Sequence, residues 1–499
     1  MRKLGPYFWL SVGGILVYFV QGNELIGLAF WLAPLFLLRF AHTQSPAWGF
    51  FGILAVLFVA ISAASADMIP IPGVIYLAWA FGTSLAFSLP FLADRLLGTR
   101  LTGSASTLIF PLAWVTVEFA VTHLSPSGTW GIEGYTQFSY LPLVQVAAFT
   151  GLSGIAFLAT WFASVVHWAW GQDFAWGKIR GCVLTCAAIV ILVMLAGSLR
   201  LITSSSPPRT VRAAVVSYPR DMFKPGEATH IRIGMVSAEE RGPFRDKMVH
   251  LQEWFLETTH REALAGAKIV IWPELNLLVF KEDEQSFLER ARQLARTDSI
   301  YLLMGMATVT LGVQRPLENK ALLINDSGAV ICSYRKSHAM PGWETELGTP
   351  GTGSVPVVNT AYGRMAIAIC FDADFPGFIR QAGEQHADLL LVPANDWEEI
   401  KHIHLAMAAF RAVEIGATMI RATSTGLSSL IDPYGRILAV TDHFAPGARV
   451  MVAQVPLAST STMYDRVGDL FAWLCVAALV VLAGRAVYPR RAQVSDTAK

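Results

Sequence analysis

Three short stretches of the 499-residue sequence each place one reactive side chain at the end of an apolar run. Glu274 ends I-V-I-W-P-E, Lys336 lies in S-Y-R-K-S-H, and Cys370 lies in A-I-A-I-C-F-D. Short apolar runs predict buried strands, and a strand end aims a side chain rigidly while the following loop stays open to substrate. We therefore expect the three side chains to share one site.

A carboxylate, an ammonium and a thiol are suited to nucleophilic acyl transfer. A thiol with an ordinary pKa of about 8.5 is mostly protonated at neutral pH, although the thiolate is the nucleophile. Glu274 would take the Cys370 proton, and Lys336 would favour the thiolate electrostatically. Attack on an acyl carbon creates an oxyanion, which Lys336 and the backbone amide of Phe371 would hold. One such donor typically lowers the barrier by about 3 kcal/mol.

Each of these residues alone is also consistent with a structural role. A single buried cysteine at a strand end is usually a small core residue. Glu274 could be a loop carboxylate, and Lys336 could be a solvated lysine. The prediction of a catalytic triad therefore depends on all three residues occurring together, each closing an apolar strand.

The composition divides the chain into two parts. Hydrophobic residues make up 54% and charged residues only 15%, below the ~25% charged share of soluble domains. Residues 1–200 hold few charges, whereas 209–465 resemble an ordinary soluble domain. The net charge of +1 argues against a nucleic-acid partner. The five cysteines show no metal-ligand spacing, so we predict no metal and no other cofactor.

Eight segments have the apolar length of about 20 residues that a membrane-spanning helix needs. They are 6–22, 25–40, 47–66, 70–93, 106–124, 141–170, 178–201 and 467–488. Lysines and arginines fall only in alternate connections, which the positive-inside rule assigns to the cytoplasm. These residues are Arg2, Lys3, Arg39, Arg95, Arg100, Lys178, Arg180, Arg485, Arg490 and Arg491. We interpret the first segment as a retained helix rather than a signal peptide.

These patterns predict four regions. A bundle of about seven helices spans 1–203, an extracytoplasmic catalytic domain spans 209–465, a last transmembrane helix spans 467–488, and a cytoplasmic tail spans 489–499. Strand-like runs alternate with amphipathic stretches in the second region, which indicates a layered α/β sandwich.

Polar and aromatic residues near the predicted outer membrane surface allow more than one interpretation. Trp130 and Tyr135 lie in an outside loop and would form either an aromatic belt or a lipid-facing wall of the active site. Glu118 lies inside the fifth segment, where an ionisable group is either functional or hydrogen-bonded to a neighbouring helix.

Several motifs resemble the nitrilase, or carbon–nitrogen hydrolase, superfamily, whose triad is Glu, Lys and Cys in this order. The eight-helix frame is similar to one branch, the apolipoprotein N-acyltransferase family, and the resemblance covers nearly the whole chain. The motifs are P-L-A-W-V-x-x-E at 111–118, G-Y-T-Q at 134–137, W-P-E at 272–274, Y-R-K-S-H at 334–338, I-C-F-D-A-D-F-P at 369–376, N-D-W at 395–397, R-A-V-E at 411–414, R-A-T-S-T-G at 421–426 and Y-D-R-V-G-D at 464–469.

The resemblance implies an αββα sandwich and a two-step reaction in the bacterial inner membrane, with the catalytic domain on the extracytoplasmic side. Cys370 would take an acyl chain from a phospholipid and release a lysophospholipid. The α-amino group of a diacylglyceryl-cysteine lipoprotein would then attack the thioester. Glu344 would orient Lys336 or the incoming amine. The same resemblance makes Phe371, Asp372 and Asn395 supporting residues, and Trp343 a third lipid-facing candidate.

The sequence departs from the family pattern near the site. Phe371 and Asp372 replace a frequent Tyr-Glu pair, residues 341–344 read P-G-W-E for P-F-G-E, and Trp397 directly follows N-D. His404 is at the family-like position, and His402, two residues away on a predicted helix, would face solvent rather than share a metal. These loop differences are also consistent with a divergent paralogue that uses another acyl acceptor.

Two other functions remain open from the sequence. A membrane-anchored amidase would use the same triad with water as the second nucleophile, but it would need only one anchoring helix. A non-catalytic membrane module, such as a transporter, would usually show interrupted polar helices, and the predicted helices here are mostly uninterrupted.

Overall fold

Long apolar helices form the N-terminal part of the computed structural model, which describes residues 5–22, 24–71, 73–204, 209–218, 241–447 and 450–488. Within these residues the long helices are α1 Gly5–Gln21, α2 Gly27–Thr43, α3 Pro46–Ala64, α4 Gly73–Leu97, α5 Ile109–Leu124, α6 Leu152–Gly171 and α7 Trp176–Ile202. The basic residues Arg2, Lys3, Arg490 and Arg491, the linker at 205–208 and the predicted tail 489–499 lie outside the described residues.

Six helices in the described part of the chain are long and apolar enough to cross a membrane, including the last long helix, Leu470–Val487. Helices α1 and α2 are shorter, at 17 residues each. Aromatic side chains fill the centre of the bundle, where Trp114 packs against Phe87, Phe91 and Phe110. The bundle therefore has the protein core expected of packed helices as well as apolar outer faces.

The sixth predicted membrane segment, 141–170, is not one helix. Residues Leu141–Val144 and Ala147–Thr150 form two short helical turns, and α6 begins only at Leu152. Gly151 breaks the helix because its φ is +61°, in the left-handed region that favours glycine. A Cβ there would lie 2.7 Å from the Tyr464 ring, so the close approach of that ring also requires glycine.

Twelve strands of the described residues form two six-stranded sheets, with the orders β12-β1-β2-β3-β4-β5 and β11-β10-β9-β8-β7-β6. The strands are β1 Thr210–Val216, β2 Ile269–Phe280, β3 Tyr301–Val309, β4 Leu317–Ile324, β5 Val330–Arg335, β6 Val357–Thr360, β7 Gly363–Ile367, β8 Leu389–Asn395, β9 Thr418–Ser424, β10 Leu427–Ile431, β11 Ile437–Asp442 and β12 Val450–Pro456.

The centre of each sheet is parallel, with β1–β2–β3 in one sheet and β7–β8–β9 in the other. Parallel neighbours need crossover connections, and a helix supplies each one. These helices are α8 Arg241–Leu264, α9 Glu284–Asp298, α10 Pro376–Glu384 and α11 Lys401–Ile415, and the last long helix is α12 Leu470–Val487.

Side chains of the first sheet alternate between two cores, as the period of a strand requires. Ile269 and Ile271 face the second sheet, whereas Val270 and Trp272 face α8 and α9. Helices α10 and α11 cover the other face of the second sheet. This αββα sandwich next to an apolar helical bundle confirms the predicted fold class.

Helix α11 is buried on both sides. Ala408 and Ala412 pack on the second sheet, while Met407 and Phe410 join the core of the membrane bundle. The sandwich and the bundle therefore share α11 at their contact, with the second sheet on one side of this helix and the membrane bundle on the other.

Candidate active site

A bulge in β2 positions Glu274. The strand does not end at this residue, as the sequence suggested, but its pairing with β3 shifts register between Trp272 and Leu277. Gly305 lies on β3 opposite the bulge, and a Cβ there would be 2.4 Å from the Pro273 carbonyl oxygen. A bulge changes the direction in which a side chain points, and the absence of a Cβ on Gly305 leaves room for the bulge at Glu274.

Two carboxylates hold the Lys336 ammonium. Its Nζ donates to Glu274 Oε1 at 2.9 Å and to Glu344 Oε2 at 2.8 Å. Asn319 on β4 donates from Nδ2 to Glu274 Oε1 and to Glu344 Oε1, each at 2.7 Å. The Met340 amide also donates to Glu344 Oε2. Sequence reasoning missed Asn319, which lies between Glu318 and Lys320 in the polar first half of β4 and carries no distinct local signal.

Cys370 lies in a strained turn rather than in a strand. The strand that was predicted to end at Cys370 ends instead at Ile367, and Cys370 opens the 3₁₀ helix Cys370–Asp374 with a φ of +45°. A non-glycine residue in this region costs about 1–3 kcal/mol, and such residues cluster at active sites. The Phe371 amide follows in the first turn, where helix amides lack internal acceptors. The Cys370 Sγ lies 3.8 Å from the Asn395 carbonyl oxygen.

Asp372 fixes the turn that carries Cys370. Its buried carboxylate accepts hydrogen bonds from the Tyr334 hydroxyl at 2.6 Å, the Ile369 amide at 3.0 Å and the His338 amide at 2.8 Å. These bonds tie the cysteine turn to β5 and the loop after it, which also carries the lysine. Asp372, which stands where the family often has a longer glutamate, therefore has both carboxylate oxygens hydrogen-bonded in this chain.

The environment of the site favours a neutral Cys370 thiol and a charged Lys336 ammonium. Burial raises the pKa of the Cys370 thiol well above its usual value; the Glu274 carboxylate adds to this rise and Lys336 opposes it. Burial also raises the pKa of the Glu274 carboxyl. The Lys336 ammonium lowers this pKa, and the Glu344 carboxylate raises it further. Burial disfavours the Lys336 ammonium, but the two carboxylates outweigh it and hold its pKa well above the usual range.

A cavity of about 440 Å³ opens over these residues. Cys370, Lys336, Glu274 and Glu344 line one side. The connection between α3 and α4 and the start of α4 also line the cavity, through Met68, Ile69, Pro70, Ile71 and Trp79. The chemistry and the apolar membrane bundle therefore meet in one cavity, which is the arrangement that an acyl-chain substrate requires.

The three predicted lipid-facing aromatics separate into two groups. Trp130 and Trp343 both line the cavity. The expectation for Tyr135 is wrong, because its side chain is fully buried. The Tyr135 hydroxyl donates to Thr129 Oγ1 at 2.7 Å and accepts from Arg411 Nη2 at 2.9 Å. Burying a tyrosine hydroxyl requires such partners, and they hold the 125–140 loop on α11.

A buried polar cluster reaches the cavity through Asp396 and His404. Arg421 donates from Nη1 and Nη2 to the two Asp396 oxygens at 2.7 and 2.8 Å, and His404 Nδ1 lies 2.8 Å from Asp396 Oδ1. The Thr129 amide and hydroxyl both donate to the Asp374 carbonyl, at 2.9 and 2.8 Å. This cluster connects the membrane-side loop to the turn that carries the cysteine.

Other predicted polar residues lie away from the chemistry. His402 is exposed, and the described residues contain no group of three or more His, Cys, Asp or Glu that could hold a metal ion. Glu118 is buried and lines a separate cavity of about 240 Å³ together with Glu414 and Asp469.

Comparison with known proteins identifies the same superfamily. The carbon–nitrogen hydrolase family model matches residues 232–464. An apolipoprotein N-acyltransferase from Geobacter metallireducens is 27% identical over 411 residues, covering 77% of this chain and 75% of its own. Apolipoprotein N-acyltransferase 2 of Treponema pallidum is 25% identical over 467 residues, covering 81% and 80%.

A solved structure shows a more distant likeness. An amidase from Nesterenkonia sp. AN1 in complex with acrylamide matches 54% of this chain and 100% of its own length, at a TM-score of 0.42 and 20% identity.

Proposed function

Because this chain belongs to the apolipoprotein N-acyltransferase family of the carbon–nitrogen hydrolases, we propose that it acylates the amino terminus of a lipoprotein through a thioester on Cys370. One observation carries the proposal. The cavity that contains Cys370, Lys336 and Glu274 also has a wall of apolar residues from the membrane bundle. A lipid acyl chain entering sideways from the bilayer would reach the thiol along that wall.

The first half-reaction loads the cysteine. Glu274 takes the thiol proton as Cys370 Sγ attacks the ester carbonyl carbon of a phospholipid. The Lys336 ammonium and the Phe371 amide stabilise the tetrahedral oxyanion. When the intermediate collapses, the C–O bond breaks, and Glu274 returns its proton to the departing lysophospholipid oxygen.

The second half-reaction transfers the acyl group. The neutral α-amine of a diacylglyceryl-cysteine lipoprotein attacks the thioester carbon, and the same donors hold the second oxyanion. Glu274 takes one N–H proton and passes it to the Cys370 sulfur as the C–S bond breaks. Glu344 is a positioning residue in both steps, because it fixes the ammonium that Glu274 also contacts.

The chain is a bacterial membrane protein, and we place it in the inner membrane. The alternating basic connections support an extracytoplasmic position for the sandwich, with its cavity beside the outer leaflet. In this orientation phospholipids and membrane-anchored lipoproteins reach the thiol without leaving the bilayer.

Reconstitution tests this function. The full chain in phospholipid vesicles, given a synthetic diacylglyceryl-cysteine lipopeptide, is expected to produce a lipopeptide heavier by one acyl group. Cys370→Ala should abolish this product, whereas Cys332→Ala, a buried cysteine in the same domain, should retain it. Product formation by Cys370→Ala would refute the proposal. Release of carboxylic acid from small amides without lipid would favour a membrane-anchored amidase instead.

A further inference from the structure

In the proposed second half-reaction the acyl acceptor loses one proton more than Glu274 can transfer. A lipoprotein α-amine has an ordinary pKa of about 8, so most of it is an ammonium at neutral pH. Forming the amide removes two protons from that ammonium. Glu274 carries one of them to the Cys370 sulfur, and the other must leave through a second base.

His404 has the position and the hydrogen bonding of such a base. It lines the same cavity as Cys370, and its ring is almost fully buried. Nδ1 lies 2.8 Å from Asp396 Oδ1. Burial raises the pKa of the Asp396 carboxyl, but Arg421 and His404 together hold it below its ordinary range. The carboxylate is therefore an acceptor, and the tautomer with its proton on Nδ1 satisfies it. A neutral ring with Nδ1–H leaves a lone pair on Nε2.

The Nε2 atom has no hydrogen-bond partner among the described residues. Its nearest acidic neighbour is Asp374 Oδ2 at 3.8 Å, which is also buried without a hydrogen bond. Burial raises the pKa of Asp374 to about 6, although His404 and Arg421 lower it. Two neighbouring buried atoms without hydrogen bonds are unusual in a folded protein. His404 lines the cavity, so a substrate N–H there would supply the partner that Nε2 lacks.

Charged groups face the His404 ring from every element packed against it. Asp396 follows β8, Asp374 ends the cysteine turn, and Arg421 lies on β9 within 3.2 Å of Nδ1. Arg411 lies further along α11, and Trp130 from the membrane-side loop packs its ring edge-to-face at 5.3 Å. Asp396 and Asp374 lie at the two ring nitrogens, so both carboxylates would pair with the charge that forms when Nε2 takes a proton.

We propose, building on the proposed function, that His404 is the base that deprotonates the ammonium of the acyl acceptor. Nε2 takes one proton from R–NH₃⁺, and the freed lone pair attacks the thioester carbon. The C–N bond forms, the C–S bond breaks, and the second N–H proton reaches sulfur through Glu274. The imidazolium then releases its proton to water, so the step yields amide, free thiol and one proton.

The two half-reactions separate this role from a structural one. His404→Asn keeps a donor for Asp396 but has no base. Thioester formation from phospholipid should change by less than about twofold. Aminolysis should fall about tenfold at pH 7, because about one tenth of an amine with a pKa near 8 is already neutral there. The deficit should disappear above about pH 9. Exposed His402→Asn is the matched control and should behave as the parent chain at every pH.

Asp374→Asn provides a second variant, since its carboxylate makes no side-chain hydrogen bond to lose at Oδ2. It should show a smaller loss, also confined to aminolysis and to low pH. Equal losses in both half-reactions, or an aminolysis deficit in His404→Asn that does not change with pH, would overturn the assignment. Failure of the parent chain to form any thioester would instead refute the proposed function itself.

Discussion

Replacing Glu344 by glutamine tests how the lysine is held. Both Glu344 oxygens face donors: Oε2 accepts from Lys336 Nζ at 2.8 Å and from the Met340 amide, and Oε1 accepts from Asn319 Nδ2 at 2.7 Å. Glutamine offers one acceptor end, so its NH₂ group must face either the ammonium or the Asn319 amide. Asn319 cannot flip to adapt, because its Nδ2 also donates to Glu274.

The cost follows from that mismatch. Losing one hydrogen bond to a charged group in a buried site costs about 1.5–3 kcal/mol. If this loss applies to the transition state that Lys336 stabilises, thioester formation slows roughly 10- to 150-fold, at about 1.4 kcal/mol per factor of ten. The Glu344 charge also raises the pKa of Glu274. The acid limb of the rate profile should therefore move to lower pH in Glu344→Gln.

Quenched-flow intact-protein mass spectrometry measures this step directly. The full chain in phospholipid nanodiscs is sampled over time between pH 4 and 9, and the acylated fraction is followed. Glu346→Gln is the matched control, because Glu346 lies on the same short helix and is exposed. Thermal unfolding shows whether the variant is folded. A folded Glu344→Gln chain that acylates within about twofold of the parent rate would refute this account of how Lys336 is held.

Three further perturbations test other parts of the site. Gly305→Ala should slow thioester formation at least about tenfold, because its Cβ would lie 2.4 Å from the carbonyl oxygen of the residue before Glu274 and displace the base. The control Gly242→Ala, whose Cβ would meet nothing within 4 Å, should keep the parent rate. Equal rates of thioester formation in the two variants would contradict the bulge argument. Activity of the parent chain should fall as pH drops through the pKa of Glu274, which burial raises. A pH–rate profile whose acid limb lies at or below the ordinary pKa of a glutamate would contradict the burial of this carboxyl. Tyr135→Phe should destabilise the fold by about 1–3 kcal/mol, because Arg411 loses a buried acceptor; an unchanged unfolding temperature would show that this contact contributes little.

The sequence predicted the two-part architecture because its signals are local. Apolar runs of β2, β3, β8 and β9 are buried on both faces, so composition alone reveals them. The edge strands β6 and β11 were missed, since their residues are mostly half-exposed and alternate weakly.

The details of the site depend on contacts between residues far apart in the chain. Cys370 was expected in a strand, but the Asp372 carboxylate, bonded to groups on another sheet, selects a tight turn. Tyr135 suited an interface by residue type, yet its partner Arg411 is 276 residues away. No local pattern encodes such pairings. The roles of Phe371, Asn395 and Glu344 stay predictions.

Acylation of the thiol is the most direct test of the central claim. Intact-protein mass spectrometry of the full chain after incubation with a phospholipid of defined acyl chains should show a mass gain of one acyl group. That gain should be present in Cys332→Ala, absent in Cys370→Ala, and lost from the parent chain when a diacylated lipopeptide is added. An adduct that persists in Cys370→Ala, or no adduct in a folded parent chain, would contradict the claim that this cysteine carries the acyl group.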